Sequence, residues 1–179
     1  PMEELESGRL LYLRRVLTVT VILILISSVM LVVFLRMQIV LPMQKIIEEA
    51  RRFAKENNID IKYILLTHCH YDHIEFLEKL RERTGAVLVC GDKCAENVIN
   101  PRMNLSIFGL GYELSPKAPE IILADGEVLN AGSMEIKCVY TPGHTNCSVC
   151  YISDEKIFSG DTLFLRNCGR WDLPTGDEA

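Results

Sequence analysis

The chain has 179 residues, 49% of them hydrophobic, with 19 basic against 24 acidic side chains and a net charge of −5. That length suits a single domain with a sizeable core, and the acidic balance, without clustered Lys and Arg, excludes an electrostatic footprint for nucleic acid. Seven cysteines is an odd number; with no cleavable leader pattern, the chain reads as cytoplasmic with reduced thiols.

Residues 1–8 are polar and are expected to fray. Residues 16–35 then form a run of twenty without a charge, bracketed by Arg14-Arg15 and Arg36. One reading is a membrane span, for which ~20 apolar residues suffice. The other is buried strands: Val and Ile are abundant, and Leu17-Thr18-Val19-Thr20-Val21 alternates at period two. No Gly, Pro, Asn or Asp stands between Arg9 and Leu41, which leaves no ordinary hairpin turn. Strands across 9–41 are the favoured reading and a membrane contact through 16–35 its rival. Residues 36–41 read as a further strand ended by Pro42. Residues 44–56 read as an amphipathic helix whose stripe of Ile46, Ile47, Ala50, Phe53 and Ala54 is core.

From there strands and helices alternate, the pattern of an α/β fold. Residues 62–67 read as a short buried strand, 74–83 as a helix stopped by Gly85, 86–90 as a strand and 92–98 as a short helix. Residues 100–119 read as a long loop, and Phe108, Leu110 and Tyr112 are expected to line a substrate pocket. Strands follow at 121–123, 127–129 and 134–140, joined by turns at Asp125-Gly126 and Ala131-Gly132. Residues 147–152 and 156–159 form a hairpin. The spaced pairs Cys90/Cys94 and Cys147/Cys150 read as packing rather than as a metal or disulfide site.

The four histidines fall in two compact motifs, each after a β-like run. The first is His68-Cys69-His70-Tyr71-Asp72-His73. His68 and His70, two apart, point the same way in extended backbone and can share an ion. Asp72 and His73 sit at a helix entrance and can turn toward a second one. The second motif is Thr141-Pro142-Gly143-His144-Thr145. A third strand ends in Gly160-Asp161, which offers a carboxylate. Imidazole with carboxylate suits zinc, iron or manganese.

In this order, H-x-H-x-D-H, T-P-G-H-T and G-D-T-L-F resemble the metallo-β-lactamase-fold hydrolases. The run Cys168-Gly169-Arg170-Trp171-Asp172-Leu173-Pro174-Thr175-Gly176-Asp177 resembles their glyoxalase II-like branch. The resemblance covers about residues 44–179. It implies one αβ/βα sandwich of two mixed β-sheets flanked by helices, incomplete at the C-terminus, with strands preceding the first helix. It also implies that His68, His70 and His144 hold a first metal, that Asp72 and His73 hold a second, and that Asp161 bridges them. The implied cofactor is one or two zinc ions, with iron as the other option. The implied partner is a small-molecule thioester of the hydroxyacylglutathione kind, attacked by metal-bound hydroxide, with Asp72 in a catalytic role.

The chain departs from the family at Leu41-Pro42-Met43, where Asp-Pro-Gly is usual, at Glu75, where glycine is usual, and in having no histidine after Asp161. Glu75 reads equally as an extra ligand or a solvated helix residue. Two other readings follow: a mononuclear-iron persulfide dioxygenase-like enzyme using His68, His144 and Asp161, or a truncated or engineered inactive chain that keeps the ligands.

Overall fold

The computed structural model describes residues 2–177, with the side chains of all of these except 2–7, 39–44 and 47. They fall into two compact units, one up to Phe53 and one from Ala54 onward. The first unit is helical: α1 is Met2–Leu35, a π-helical turn covers Arg36–Val40, and α2 is Leu41–Glu56. This overturns the strands expected across 9–41, including the one at 36–41; residues 2–8, expected to fray, fall within α1. Pro1 lies outside the described residues.

The physical reason is the missing turn residues. A segment that cannot reverse direction cannot pair with itself, whereas a helix satisfies its backbone N–H and C=O groups internally. The apolar stripe of α2 is not core either. Ile46 and Phe53 are each 60% exposed and only Ala54 is buried; the Ile47 side chain lies outside the described residues.

In the second unit β1 (Tyr63–Leu65), β2 (Val87–Gly91) and β3 (Ile121–Leu123) form a parallel sheet in that order, with Tyr63 opposite Val87 and Val89 opposite Ile121. Parallel strands need crossovers. The first is α3 (Tyr71–Ile74) with α4 (Leu77–Thr84); the second holds α5 (Asp92–Val98) and α6 (Ser106–Gly109). The single helix expected at 74–83 is therefore two, interrupted at Glu75-Phe76. Gly85 ends α4 at φ 71°, donating its N–H to Arg81 O at 2.8 Å, as its freedom at positive φ allows.

The second sheet is an antiparallel meander of β4 (Val128–Ala131), β5 (Met134–Tyr140), β6 (Val149–Ser153) and β7 (Lys156–Phe158). A small hairpin of β8 (Leu163–Phe164) and β9 (Asn167–Cys168) follows.

The period of two along β2 assigns the layers. Leu88 and Cys90 join Leu66, Ile74, Leu77, Cys94, Val98 and Cys147 under the helices. Val89, between them, joins Leu123, Leu129, Ile136, Cys138, Val149 and Tyr151 between the sheets. Leu88 and Val89 are fully buried, which stabilises the fold by about 2 kcal/mol each. This layering, helices on one sheet and that sheet on another, is the expected α/β sandwich. Tyr151, also fully buried, crosses it: its hydroxyl donates to Leu66 O at 3.0 Å. Val149 N–H donates to Thr67 O at 2.9 Å. The end of β1 is thereby held beside the start of β6, which pairs with the end of β5 at Tyr140, and the two motifs leave from the ends of β1 and β5.

Candidate metal centre

His68 leaves the end of β1 into the centre of the unit and is 1% exposed. Its Nδ1 lies 3.3 Å from Thr67 Oγ1. With Nδ1–H donating to that hydroxyl, the Nε2 lone pair is open. Nε2 is buried and has no hydrogen-bond partner. A buried polar atom without a partner costs about 1–3 kcal/mol, and a metal ion is the partner that would relieve it.

His70 caps α3 from extended backbone, φ −59° and ψ 147°. The next residue is pinned: Tyr71 N–H donates to Asn104 O at 2.8 Å. Asn104 is itself fully buried, donating to Val98 O and Leu114 O and accepting from Ser106 N–H. The long loop thus fixes the turn that aims His70. Its Phe108, Leu110 and Tyr112 are not among the residues that line the cavity beside His144. Instead Gly109 packs on the Tyr71 ring, and Tyr112 OH donates to Glu75 Oε1 at 3.5 Å. Glu75 accordingly lies outside both groups of candidate metal ligands described next.

One ligand atom from each of His68, His70 and His144 lies within 4.8 Å of the others. His70 Nδ1 and His144 Nε2 are 3.0 Å apart. A second group is His68, His73 and Asp161. The two Asp161 oxygens divide between neighbours: Oδ1 is 3.4 Å from His73 Nε2, and Oδ2 is 3.5 Å from His144 Nε2. That is the placement of a carboxylate shared between two positions. Five of the six expected ligands are brought together. The sixth, Asp72, points outward; its side chain is 59% exposed and its Oδ2 lies 3.8 Å from His73 Nε2.

Burial first, then the neighbouring His73, His70 and His144, pushes His68 down from 6.5 to about 2. Burial and His144 push His70 down to about 4. Both rings are neutral at neutral pH, the form in which imidazole binds metal. The donor set fits a transition metal: four imidazoles, a carboxylate between His73 and His144, and the buried, orphaned Nε2 of His68.

Two supports were not legible as site residues. His144 Nδ1–H donates to Arg170 O at 2.7 Å, which fixes the tautomer and leaves Nε2 as the lone-pair nitrogen facing the centre. Thr175 Oγ1, buried, is 3.0 Å from His70 Nε2. A backbone carbonyl has no letter to read. Thr175, a small polar residue in a Pro-Thr-Gly run, offered only a weak signal.

Two of the glycines that demand close backbone approach stand beside the candidate ligands. A Cβ on Gly160, at φ 51°, would lie 2.3 Å from Thr67 Oγ1. A Cβ on Gly169 would lie 1.9 Å from Asp161 O and 3.0 Å from the His144 ring. Beside His144, a cavity of ≈ 570 Å³ is lined by Thr141, Gly143, Thr162, Cys168, Trp171 and Asp177 among others. It has room for a small ligand.

Residues 43–179 match the family model of the metallo-beta-lactamase superfamily. A probable metallo-hydrolase of Methanocaldococcus jannaschii is 35% identical over 119 residues, 66% of this chain and 57% of that protein. The cytoplasmic hydroxyacylglutathione hydrolase of Saccharomyces cerevisiae is 34% identical over 135 residues, 70% of this chain and 43% of that protein. Among solved structures, the BLEG-1 B3 metallo-beta-lactamase is similar with a TM-score of 0.66 and 30% identity, over 73% of this chain and 64% of that one. The chain spans about half the length of the curated relatives it matches. Converging histidines, a shared aspartate, the layered sheets and these likenesses lead to one conclusion: the chain belongs to the metallo-beta-lactamase superfamily.

Proposed function

We propose that this chain is a metal-dependent hydrolase acting on a small thioester of the hydroxyacylglutathione kind. The observation that carries the reading is the orphaned, buried Nε2 of His68, at the point where His70, His144, His73 and Asp161 converge. Zinc or iron held there would supply a Lewis acid for the thioester carbonyl and would acidify water at neutral pH.

The chain's own residues do the rest. His68 and His70 present neutral nitrogens, His144 presents its Nε2, and Asp161 aligns His73 and His144 with one oxygen each. Asp72, its carboxylate facing solvent at the rim 3.8 Å from His73 Nε2, would pass outward to bulk water the proton lost at the centre. The open cavity beside His144, with Trp171 on its wall, receives the acyl group and its thiol carrier. No side chain is needed as a covalent nucleophile. The identity to a hydroxyacylglutathione hydrolase supports the thioester over other substrates.

Elemental analysis of the purified protein, with hydrolysis of S-D-lactoylglutathione, tests this. Zinc bound with turnover is the expected result, and His70→Ala should lose both. One iron per chain with oxygen consumption would favour the dioxygenase reading. Metal content unchanged in His70→Ala would end the assignment.

A further inference from the structure

Helix α1 uses its side chains in neither of the ways a water-soluble helix does. It is not amphipathic: the consecutive Leu23, Ile24, Leu25 and Ile26 point in four directions about 100° apart, and each is between 52% and 60% exposed. It is not a core helix, because none of the apolar window within residues 8–38 is buried, although its mean hydropathy is 2.9. Soluble proteins do not leave so much contiguous apolar surface in water.

Three further observations say what covers it. The uncharged run 16–35 is twenty residues, which as a helix spans ~30 Å, the thickness of a bilayer's hydrocarbon core. Its four hydroxyls need no water: Thr18 donates to Arg14 O, Thr20 to Val16 O, and Ser27 and Ser28 both to Ile24 O, at 2.8–2.9 Å. Self-satisfied polar groups are what hydrocarbon demands. Finally, Arg14-Arg15 and Arg36 close the run at either end, where headgroups would lie.

We propose that α1 spans a lipid bilayer through residues 16–35, with the Ala54–Ala179 unit tethered on the cytosolic face. The orientation follows from the thiols. The unit from Ala54 onward keeps seven free thiols, six of them buried, which belong to a reducing compartment. This inference is independent of the hydrolase reading: the helix would anchor an active or an inactive unit alike.

The test expresses the full chain in bacteria and follows it with an antibody to the catalytic unit. The chain should stay with the membranes through an alkaline carbonate wash and float with phosphatidylethanolamine–phosphatidylglycerol vesicles. Protease should digest the catalytic unit in inverted vesicles and spare it in right-side-out ones. Leu23→Arg with Ile26→Arg should lower the membrane-bound fraction roughly tenfold or more, while zinc per chain, measured on the same preparation, stays at the parent value. Three results overturn the proposal: release by carbonate, cleavage that frees the unit from α1 as from a leader peptide, or a soluble oligomer of intact chains. Digestion in right-side-out vesicles alone overturns the orientation.

Discussion

Gly160→Ala probes the close approach that lets Asp161 reach the histidines. At φ 51° a non-glycine residue is less stable by about 1–2 kcal/mol. The new Cβ would also stand 2.3 Å from Thr67 Oγ1 and 2.7 Å from Thr67 Cβ. Thr67 cannot swing aside freely, because its carbonyl accepts from Val149 N–H and its neighbour is His68. Overpacking of this kind costs a further ~1–3 kcal/mol. The expected total is roughly 2–5 kcal/mol, a drop in melting temperature of about 10 °C, with weaker zinc binding because Thr67 and Asp161 are forced apart.

Calorimetry of the metal-free protein and zinc competition against a chromophoric chelator measure the two effects. Thr67→Gly added to Gly160→Ala should recover the overpacking part and leave the backbone part, a coupling of about 1–2 kcal/mol in a double-mutant cycle. Parent-like melting and zinc affinity in Gly160→Ala would refute the reasoning. So would a second substitution that restores nothing.

Three other outcomes are expected. Thr175→Val removes the hydroxyl beside His70 Nε2 and should weaken zinc about 10–100-fold, read by the same competition; unchanged affinity would show that Thr175 does not orient the ring. Cys150→Ser, at a buried thiol near Thr141 Oγ1 and Ser159 O, should destabilise by roughly 1–2 kcal/mol with turnover intact; lost turnover at unchanged melting temperature would contradict it. The metal-free chain should lose stability on acidification. His68 and His70 titrate at about 2 and about 4 when folded and near 6.5 when unfolded, so below 6.5 the unfolded state takes up protons that the folded state refuses. Each ring then removes up to ~2 kcal/mol between pH 7 and 5, and denaturant midpoints that stay flat across that window would disprove it.

The unit from Ala54 onward was largely legible because its signals agree with one another. Gly85 stops a helix and β2 alternates between two packed faces. Both histidine motifs follow strands, so topology brought His68 and His144 together as their positions suggested. Residues 16–35 were misread for a physical reason. Val and Ile suit a strand and an all-apolar helix equally, and Thr18 and Thr20 gave a false period of two. The missing turn residues between Arg9 and Leu41 were the better guide. Asp72 marks another limit: spacing placed it at the right helix entrance, but one turn of α3 decides whether its carboxylate faces in or out. Arg170 and Thr175 act through a carbonyl and a single hydroxyl, and neither leaves a motif.

Residues 170–177 lace the His144 turn from behind. Arg170 O accepts from His144 Nδ1–H, Thr175 O accepts from Asn146 N–H, and Asp177 N–H donates to Gly143 O. All six expected ligands have been synthesised once residue 161 has left the ribosome, yet His144 gains its aim only when this last stretch arrives. A nascent chain halted before Arg170 would own every coordinating side chain and still grip an ion poorly. Loading with metal would therefore report that residues 170–177 have been made and have packed behind His144.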